Sequence, residues 1–575
     1  MADIKFESND DILKAAKSVG AIAGIICLLF GVLYATFAWK QKRQKKLFHA
    51  KDLTIGLSLG AGVGITWFLF FDDHPLYWID LIHSSRTAFL CSRLGWMWAL
   101  SLAASIIVMP ALIFYKKKTS PGLRTGDFKN VSPNWKFVKK VFYKGIPFPV
   151  GVDVKSLGTV VLSELERYAH FFCIGATGSG KSNLMLLMII HDIWQGRPCI
   201  IIDPKSDDST LDELRRLAKL FNIDLDKRLK VFDLSRPEVS CRYNPLKHGK
   251  ASWKKDRLME ALNWSEEYYR TMAGSYLTAL TGCTEYLQIP LTLDYVQLSI
   301  TDEKTQTELM DKLEAMVVLH DVQAKKFYTL LGSCFSKSND VLSSLAAQIS
   351  MLNSPDFGHL FSFTEHLGSQ VEIDEQQEID LHEIRRSGGI AFFKLSILGS
   401  ADTGRRTGRM VIEDLKGLAQ HILATERDES KRVFCPVYID EFGSFATKEF
   451  IEMMKQCRSA HLGLHLFCQG FEDLDTISKE FRRQVVTNSL TKGAFRVDDM
   501  ETANEFCSVA GTFDALEQSH QVDDSGKTGR GNLRETKQMM VEHDVIKNLC
   551  RGEAVIISKS PTKVFGIQVC HTKIL

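Results

Sequence analysis

At 575 residues, with 45% hydrophobic and 24% charged residues, the chain is too long for one ordinary core and too apolar to be a disordered tail. Its formal net charge of +2 leaves no chain-wide electrostatic footprint for nucleic acid, so any such contact has to be local. The 13 cysteines are odd in number, scattered and never spaced as CxxC, which argues against a disulfide framework and a zinc site and leaves them as small core residues.

Three apolar runs precede residue 116. The first, 19–39, is long enough to cross a bilayer as a helix and is followed by KQKRQKK at 40–46. A cleaved signal peptide is the alternative. Against it stand the acidic residues Asp3, Glu7, Asp10 and Asp11, the length of the run and the lack of a small-residue cleavage site. The second run, 53–71, and the third, 94–115, are also candidate spans, and Lys116, Lys117 and Lys118 follow the third. The positive-inside rule puts both lysine-rich loops in the cytoplasm, and 72–93, with Asp72, Asp73 and Asp80, outside together with the N-terminus. Gly56, Gly60 and Gly64 recur every four residues, as do Gly20 and Gly24. This spacing suits close helix packing in lipid, although glycine is frequent in membrane helices anyway.

A charged, turn-rich connector, 116–144, leads into alternating apolar runs and helical patterns, as expected of a parallel sheet covered by helices. The expected strands are 170–175, 198–203, 229–234, 389–396, 434–441, 462–469, 493–497 and 554–558. The interval between the third and fourth is too long for a structureless loop and has helix-like apolar spacing, so 246–385 is expected to be an inserted all-α domain. The α/β nucleotide-binding part is then 119–245 and 386–575, after a membrane region at 1–118.

Gly175, Gly180, Lys181 and Ser182 satisfy GxxxxGK[ST], with Thr177, Gly178 and Ser179 inside the loop. Glycines let backbone N–H groups wrap phosphates, the lysine reaches the outer phosphates and the Ser182 hydroxyl holds Mg2+. The context supports it, because an apolar strand precedes the loop and NLMLLMIIHDIW follows it as a helix. IIIDPK ends a second strand with Asp203 and Lys205 near the expected nucleotide position. Arg405, Arg406 and Arg409 either line a phosphate path or face solvent from a helix start. In VYIDEF, Asp440 is assigned to the metal and Glu441 to the base that polarises the attacking water. Arg458 follows a helical pattern and reads either as an arginine acting in a neighbouring subunit's site or as a cation at a helix C-terminus. Gln469 ends the next strand, where an amide can sense the outer phosphate or position water.

Together, the N-terminal spans, IGATGSGKS, IIIDPK, the helical insertion, VYIDEF, CRSAHLGLHLFCQ and the late stretch 528–549 resemble the type IV secretion coupling proteins of the TraD/TraG-like group. These are RecA-like membrane ATPases related to the FtsK-like translocases. The resemblance implies a homo-hexameric motor that uses ATP and Mg2+ in the bacterial inner membrane, with its ATPase domain in the cytoplasm. Such a motor passes single-stranded DNA from a relaxase or relaxosome to the channel proteins of a type IV secretion system. It implies the phosphate-loop role for Lys181 and Ser182, the acidic role for Asp440 and Glu441, sensing for Gln469 and a trans-acting finger for Arg458. The family usually has two spans and a cytoplasmic N-terminus, so the first of three runs here is either an extra or a peripheral helix. A secreted protein in place of DNA is the other cargo. No LSGGQ-like signature supports an ABC-type transporter, and the intact lysine and acids disfavour a non-enzymatic scaffold.

Overall fold

A computed structural model describes residues 122–128, 142, 147–264, 266–335, 340–361, 377–518, 522–523, 526–527 and 533–574. The three candidate spans and most of the connector lie outside the described residues. Among the described residues no helix is long and apolar enough to cross a membrane.

Strands β1 (Phe148–Asp153), β2 (Thr159–Leu162), β3 (Phe171–Ile174), β4 (Cys199–Asp203) and β5 (Leu229–Asp233) are followed by the short pair β6 (Arg242–Tyr243) and β7 (Glu378–Ile379). Then come β8 (Ile390–Lys394), β9 (Cys435–Ile439), β10 (Leu462–Cys468) and β11 (Thr491–Ala494). A ribbon of β12 (Thr512–Gln518) and β15 (Leu533–Met539), with β13 (Val522–Asp523) and β14 (Gly526–Lys527) between them in sequence, precedes β16 (Glu553–Lys559) and β17 (Thr562–Gln568). One 11-stranded sheet has the order β2-β1-β17-β16-β11-β3-β10-β9-β4-β8-β5. From β11 to β5 the pairings are parallel. From β11 to β2 they are antiparallel, so the sheet is mixed.

Side chains alternate across a strand, and both faces of this sheet are covered, so the central strands read as unbroken apolar runs. Ile200, Ile202, Val437, Ile439, Leu464 and Leu466 point into one core, and Ile201, Tyr438, Phe171 and Phe467 into the other. Pro436 lacks an N–H to donate and sits near the start of β9, before pairing with β4 begins at Val437. All eight expected strands are present, with β11 running Thr491–Ala494 rather than 493–497. β1, β2 and β17 were not expected. Gly151 in β1 would bring a Cβ within 2.5 Å of the Gln568 carbonyl, and in β17 a Cβ at Gly566 would lie 2.7 Å from the Phe128 ring. Glycine at such close approaches interrupts the apolar pattern that marks a strand.

Helices α1 (Glu164–Tyr168), α2 (Lys181–Trp194) and α3 (Ser209–Leu220) precede a helical stretch. That stretch contains α4 (Ala251–Ala261), α5 (Glu267–Tyr286), α6 (Leu293–Thr301), α7 (Glu303–Val318), α8 (Val322–Phe335) and α9 (Asp340–Leu352). Then come α10 (Ala401–Thr425) and α11 (Phe450–Ser459). Leu184, Leu187, Leu214 and Leu217 of α2 and α3 join one core, while Leu258, Leu277, Leu313, Met410 and Phe450 join the other. The helical stretch therefore shares the apolar face of the sheet that α10 and α11 also cover. Its attachment is partly ionic: Arg257 of α4 pairs with Asp414 of α10 at 2.9 Å, and Tyr243 donates to the same carboxylate at 3.0 Å, all buried.

Glu260, at the end of α4, meets Glu449 just before α11. Burial first, then the Glu449 charge and its hydrogen bond, push the Glu260 carboxyl up to about 7, with Arg270 at 3.2 Å opposing. The folded chain thus holds this proton more tightly than the unfolded chain does. The stability it confers is complete below the usual glutamate value and is lost as pH rises through about 7. Glu260→Gln is expected to raise the free energy of unfolding at pH 8, by an amount on the order of 1 kcal/mol, with a higher melting temperature there, and to do little at pH 4. Thermal unfolding across that range checks this, and equal pH slopes for the two proteins would contradict it.

Candidate nucleotide-binding site

β3 ends in a wholly buried Phe-Phe-Cys-Ile run, and α2 begins at Lys181, which leaves Gly175–Gly180 as the turn between them. The turn is suspended from neighbouring strand ends. The Gly175 N–H donates to the Gln469 carbonyl at 3.2 Å, the Ala176 N–H to the Arg496 carbonyl at 2.7 Å, and the Gly552 N–H to the Ser179 carbonyl at 2.8 Å. Gly180 has φ 123°, in the region that favours glycine, and a Cβ there would lie 3.0 Å from the Phe495 ring and 3.2 Å from the Gly552 nitrogen. Thr177 and Gly178 form the exposed tip, with no atom within 4 Å of where a Gly178 Cβ would stand. Lys181 folds over the loop and donates to the carbonyls of Gly175 and, at 3.3 Å, Ala176.

The crossover order puts β10 between β3 and β9. Residues that leave the carboxyl ends of these strands therefore meet at one edge. Asp440 follows β9, is buried, and donates its N–H to the Ile202 carbonyl at 3.0 Å. Glu441 takes φ 45°, a left-handed conformation uncommon outside glycine and associated with functional sites. Its N–H donates to Asp440 Oδ1 at 3.1 Å, and Gln469 Nε2 donates to Glu441 Oε1 at 3.4 Å. Lys205 Nζ lies 2.6 Å from Asp440 Oδ2 and 3.5 Å from Ser182 Oγ. Burial lowers the affinity of Lys205 for its proton, but the Asp440 charge and hydrogen bond outweigh it and the net shift is upward. Asp203 is pushed up to about 6 by burial, against the pull of Lys205 and with a smaller push from Asp440.

The loop, Lys181, Ser182, Asp440, Glu441 and Gln469 are thus brought together. The donor set fits a magnesium nucleotide. The loop tip at Gly178 is open, the Lys181 ammonium lies over the loop, and the Ser179 hydroxyl is buried without a hydrogen-bond partner among the described residues. Ser182 and Asp440 would hold the metal.

Arg458 is not brought there in its own subunit. It ends α11 just before β10 starts, and its charge, after burial, helps push the His170 imidazole down to about 4 at the opposite end of β3. The seven residues of β10, about 23 Å of strand, separate it from the carboxyl edge where the loop lies. Arg406 and Arg409 are committed to packing: Arg406 binds Asp402 at 2.8 Å and Gln348 at 3.0 Å, and Arg409 binds Asn263 at 2.9 Å. Only Arg405 of the three is exposed. Sequence reasoning missed Phe495, Arg496 and Gly552, which border the loop through the Phe495 ring and the backbone contacts of Arg496 and Gly552. No local pattern marks them, because their nearness depends on β11 lying beside β3 and β16 beside β11.

Residues 435–550 match a family model described as the TraM recognition site of TraD and TraG. Over 430 residues the chain is 21% identical to the type 4 coupling protein DotL of Legionella pneumophila subsp. pneumophila, strain Philadelphia 1, a match that covers 68% of this chain and 54% of DotL. The chain is a relative of the type IV coupling proteins. It spans about half the length of that curated relative. Among solved structures, the bacterial conjugative coupling protein TrwBdeltaN70 in its unbound form is similar at 13% identity and a TM-score of 0.50, covering 75% of this chain and 91% of that one. TrwB in complex with the non-hydrolysable ATP analogue ADPNP is similar at 14% identity and the same TM-score of 0.50, covering 77% and 93%. These two likenesses show a shared fold. The family-model match takes in Asp440, Glu441, Arg458 and Gln469, while the phosphate loop lies upstream of it.

Gly180→Ala tests the loop geometry. The strained φ and the crowding against Gly552 predict a loss of stability of about 1–3 kcal/mol, together with loss of binding to a fluorescent ATP analogue. Unchanged melting and binding would show that the loop does not depend on this conformation.

Proposed function

We propose that the chain is a coupling ATPase that uses ATP hydrolysis to drive single-stranded DNA, delivered by a relaxase or relaxosome, into a type IV secretion channel. The observation that carries the ATPase reading is the convergence of Lys181, Ser182, Asp440, Glu441 and Gln469 at the carboxyl ends of β3, β9 and β10. The coupling role and the partners are supported by the likeness to TraD, TraG, DotL and TrwB. In this reading the chain works as a homo-hexamer in the bacterial inner membrane, spans it at 19–39, 53–71 and 94–115, and keeps its ATPase domain in the cytoplasm. Arg458 then acts across a subunit boundary or not at all.

Mg2+, when bound, neutralises charge on the phosphates. Ser182 and Asp440 would hold it, and the loop amides and Lys181 would orient the phosphates. Glu441 accepts the proton of the attacking water, and Gln469 fixes the direction of the Glu441 carboxylate by its hydrogen bond. The hydrogen bond from the Glu441 N–H to Asp440 Oδ1 fixes the backbone that carries that carboxylate. The near-neutral net charge favours, as a second reading, a protein cargo in place of DNA.

Glu441→Gln is expected to bind ATP as the wild type does and to lose hydrolysis by about 100-fold or more, whereas Lys181→Ala loses binding itself. Steady-state hydrolysis by the full chain in detergent, with and without single-stranded DNA, separates the cargo readings. Stimulation that fades with rising salt supports DNA. Hydrolysis indifferent to DNA, in cells that still export a protein, supports the second reading.

A further inference from the structure

Lys205 stands on a turn fixed from two sides. Its own N–H donates to Asp203 Oδ1 at 3.0 Å, and the carbonyls of Asp203 and Pro204 each accept from the segment after β8, from Leu395 and Ile397, at 2.9 Å. The side chain is 30% exposed, and its ammonium reaches Asp440 Oδ2 at 2.6 Å and Ser182 Oγ at 3.5 Å. Those are the two side chains to which the proposed function assigns Mg2+. The ammonium is within reach of both oxygens. We propose that Lys205 is a positioning residue whose ammonium and Mg2+ are alternative occupants of the space between Asp440 and Ser182, so that Lys205 makes metal binding conditional on the nucleotide.

The physical reason is charge balance. Asp440 is buried and paired with an ammonium, so its net field on a free divalent cation is small. Mg2+ gives up its water reluctantly and is typically held by one or two carboxylates together with substrate phosphates. The phosphates of a nucleotide add enough negative charge to compensate both cations at once. Lys205 then yields the oxygen pair while staying within the field of Asp203 and Glu441, both of which already act on it. Metal without nucleotide would meet a closed site, and the acids would not be silenced by free cations between turnovers. The inference rests on the nucleotide-site reading above and adds to it a device that orders metal and nucleotide.

The test is Mn2+ binding, followed by electron paramagnetic resonance on the full chain in detergent. Wild type, Lys205→Met and Lys205→Gln are titrated without nucleotide and again with a non-hydrolysable ATP analogue. Without nucleotide, both neutral variants are expected to bind Mn2+ about tenfold more tightly than the wild type, or better. With the analogue, the difference is expected to shrink. Equal Mn2+ affinity of the wild type and both variants without nucleotide overturns the role of Lys205 and leaves the nucleotide site standing. Failure of the wild type to bind the analogue at all overturns the nucleotide site, and this inference with it.

Discussion

A carboxylate at the end of a strand whose every side chain is buried is costly unless a cation faces it. Asp440 is such a group, and the carboxyl edge of the sheet is arranged around it. Lys205 reaches it from the end of β4, Ser182 stands beside that ammonium at the start of α2, and the Glu441 N–H binds its other oxygen. The parallel order makes this convergence possible, because β3, β10, β9 and β4 are consecutive neighbours that all end on the same side. An antiparallel pair among them would have sent one of these groups to the far edge. Arg458 shows the consequence, since it lies at the amino end of β10 and so on the wrong side for its own subunit's loop.

The loop itself depends on strands that contribute nothing to the motif. Its amides at Gly175 and Ala176 are tied to carbonyls beyond β10 and β11, and its Ser179 carbonyl to Gly552 just before β16. Phe495 fills the space under Gly175 and Gly180. Once the amides of the first loop residues are tied down in this way, the loop's direction is set before any phosphate arrives. Such preorganisation lowers the ordering cost of binding.

Sequence legibility follows the same physics. The central strands β3, β4, β9 and β10 are buried on both faces, so each reads as an apolar run, and Asp203, Asp440 and Gln469 stand out as polar groups at the ends of such runs. That β10 lies beside β9 is what right-handed crossovers lead one to expect, whereas its other neighbour, β3, was not read from the sequence. The antiparallel flank was not legible. Pro149 and Gly151 break the pattern of β1, and β17 is exposed over much of its length and interrupted by Gly566. The rim residues Phe495, Arg496 and Gly552 were invisible for a different reason: their role comes from sheet neighbours far apart in sequence. The fate of Arg406 and Arg409 was also not legible, because charge pattern alone does not tell a phosphate path from partners such as Gln348 and Asn263 on the helical stretch.

The segment after Glu441 connects the site to that helical stretch through contacts with little slack. Phe442 packs on Phe450 with ring centroids 4.4 Å apart, at the first residue of α11. The Phe445 ring occupies the place beside Gly408 of α10 where a Cβ would be, at 2.3 Å, so helix and ring fit only because that residue is glycine. At the far end of the segment Glu449 faces Glu260 of α4. Protein interiors packed to this density transmit displacement rather than absorb it. Glu441 is held in a strained conformation at one end of this short segment, and the carboxyl pair joins the helical stretch at the other. A change of backbone at Glu441 must therefore move Phe442 and Phe445, and with them α10, α11 and the Glu260 contact, or be opposed by all of them.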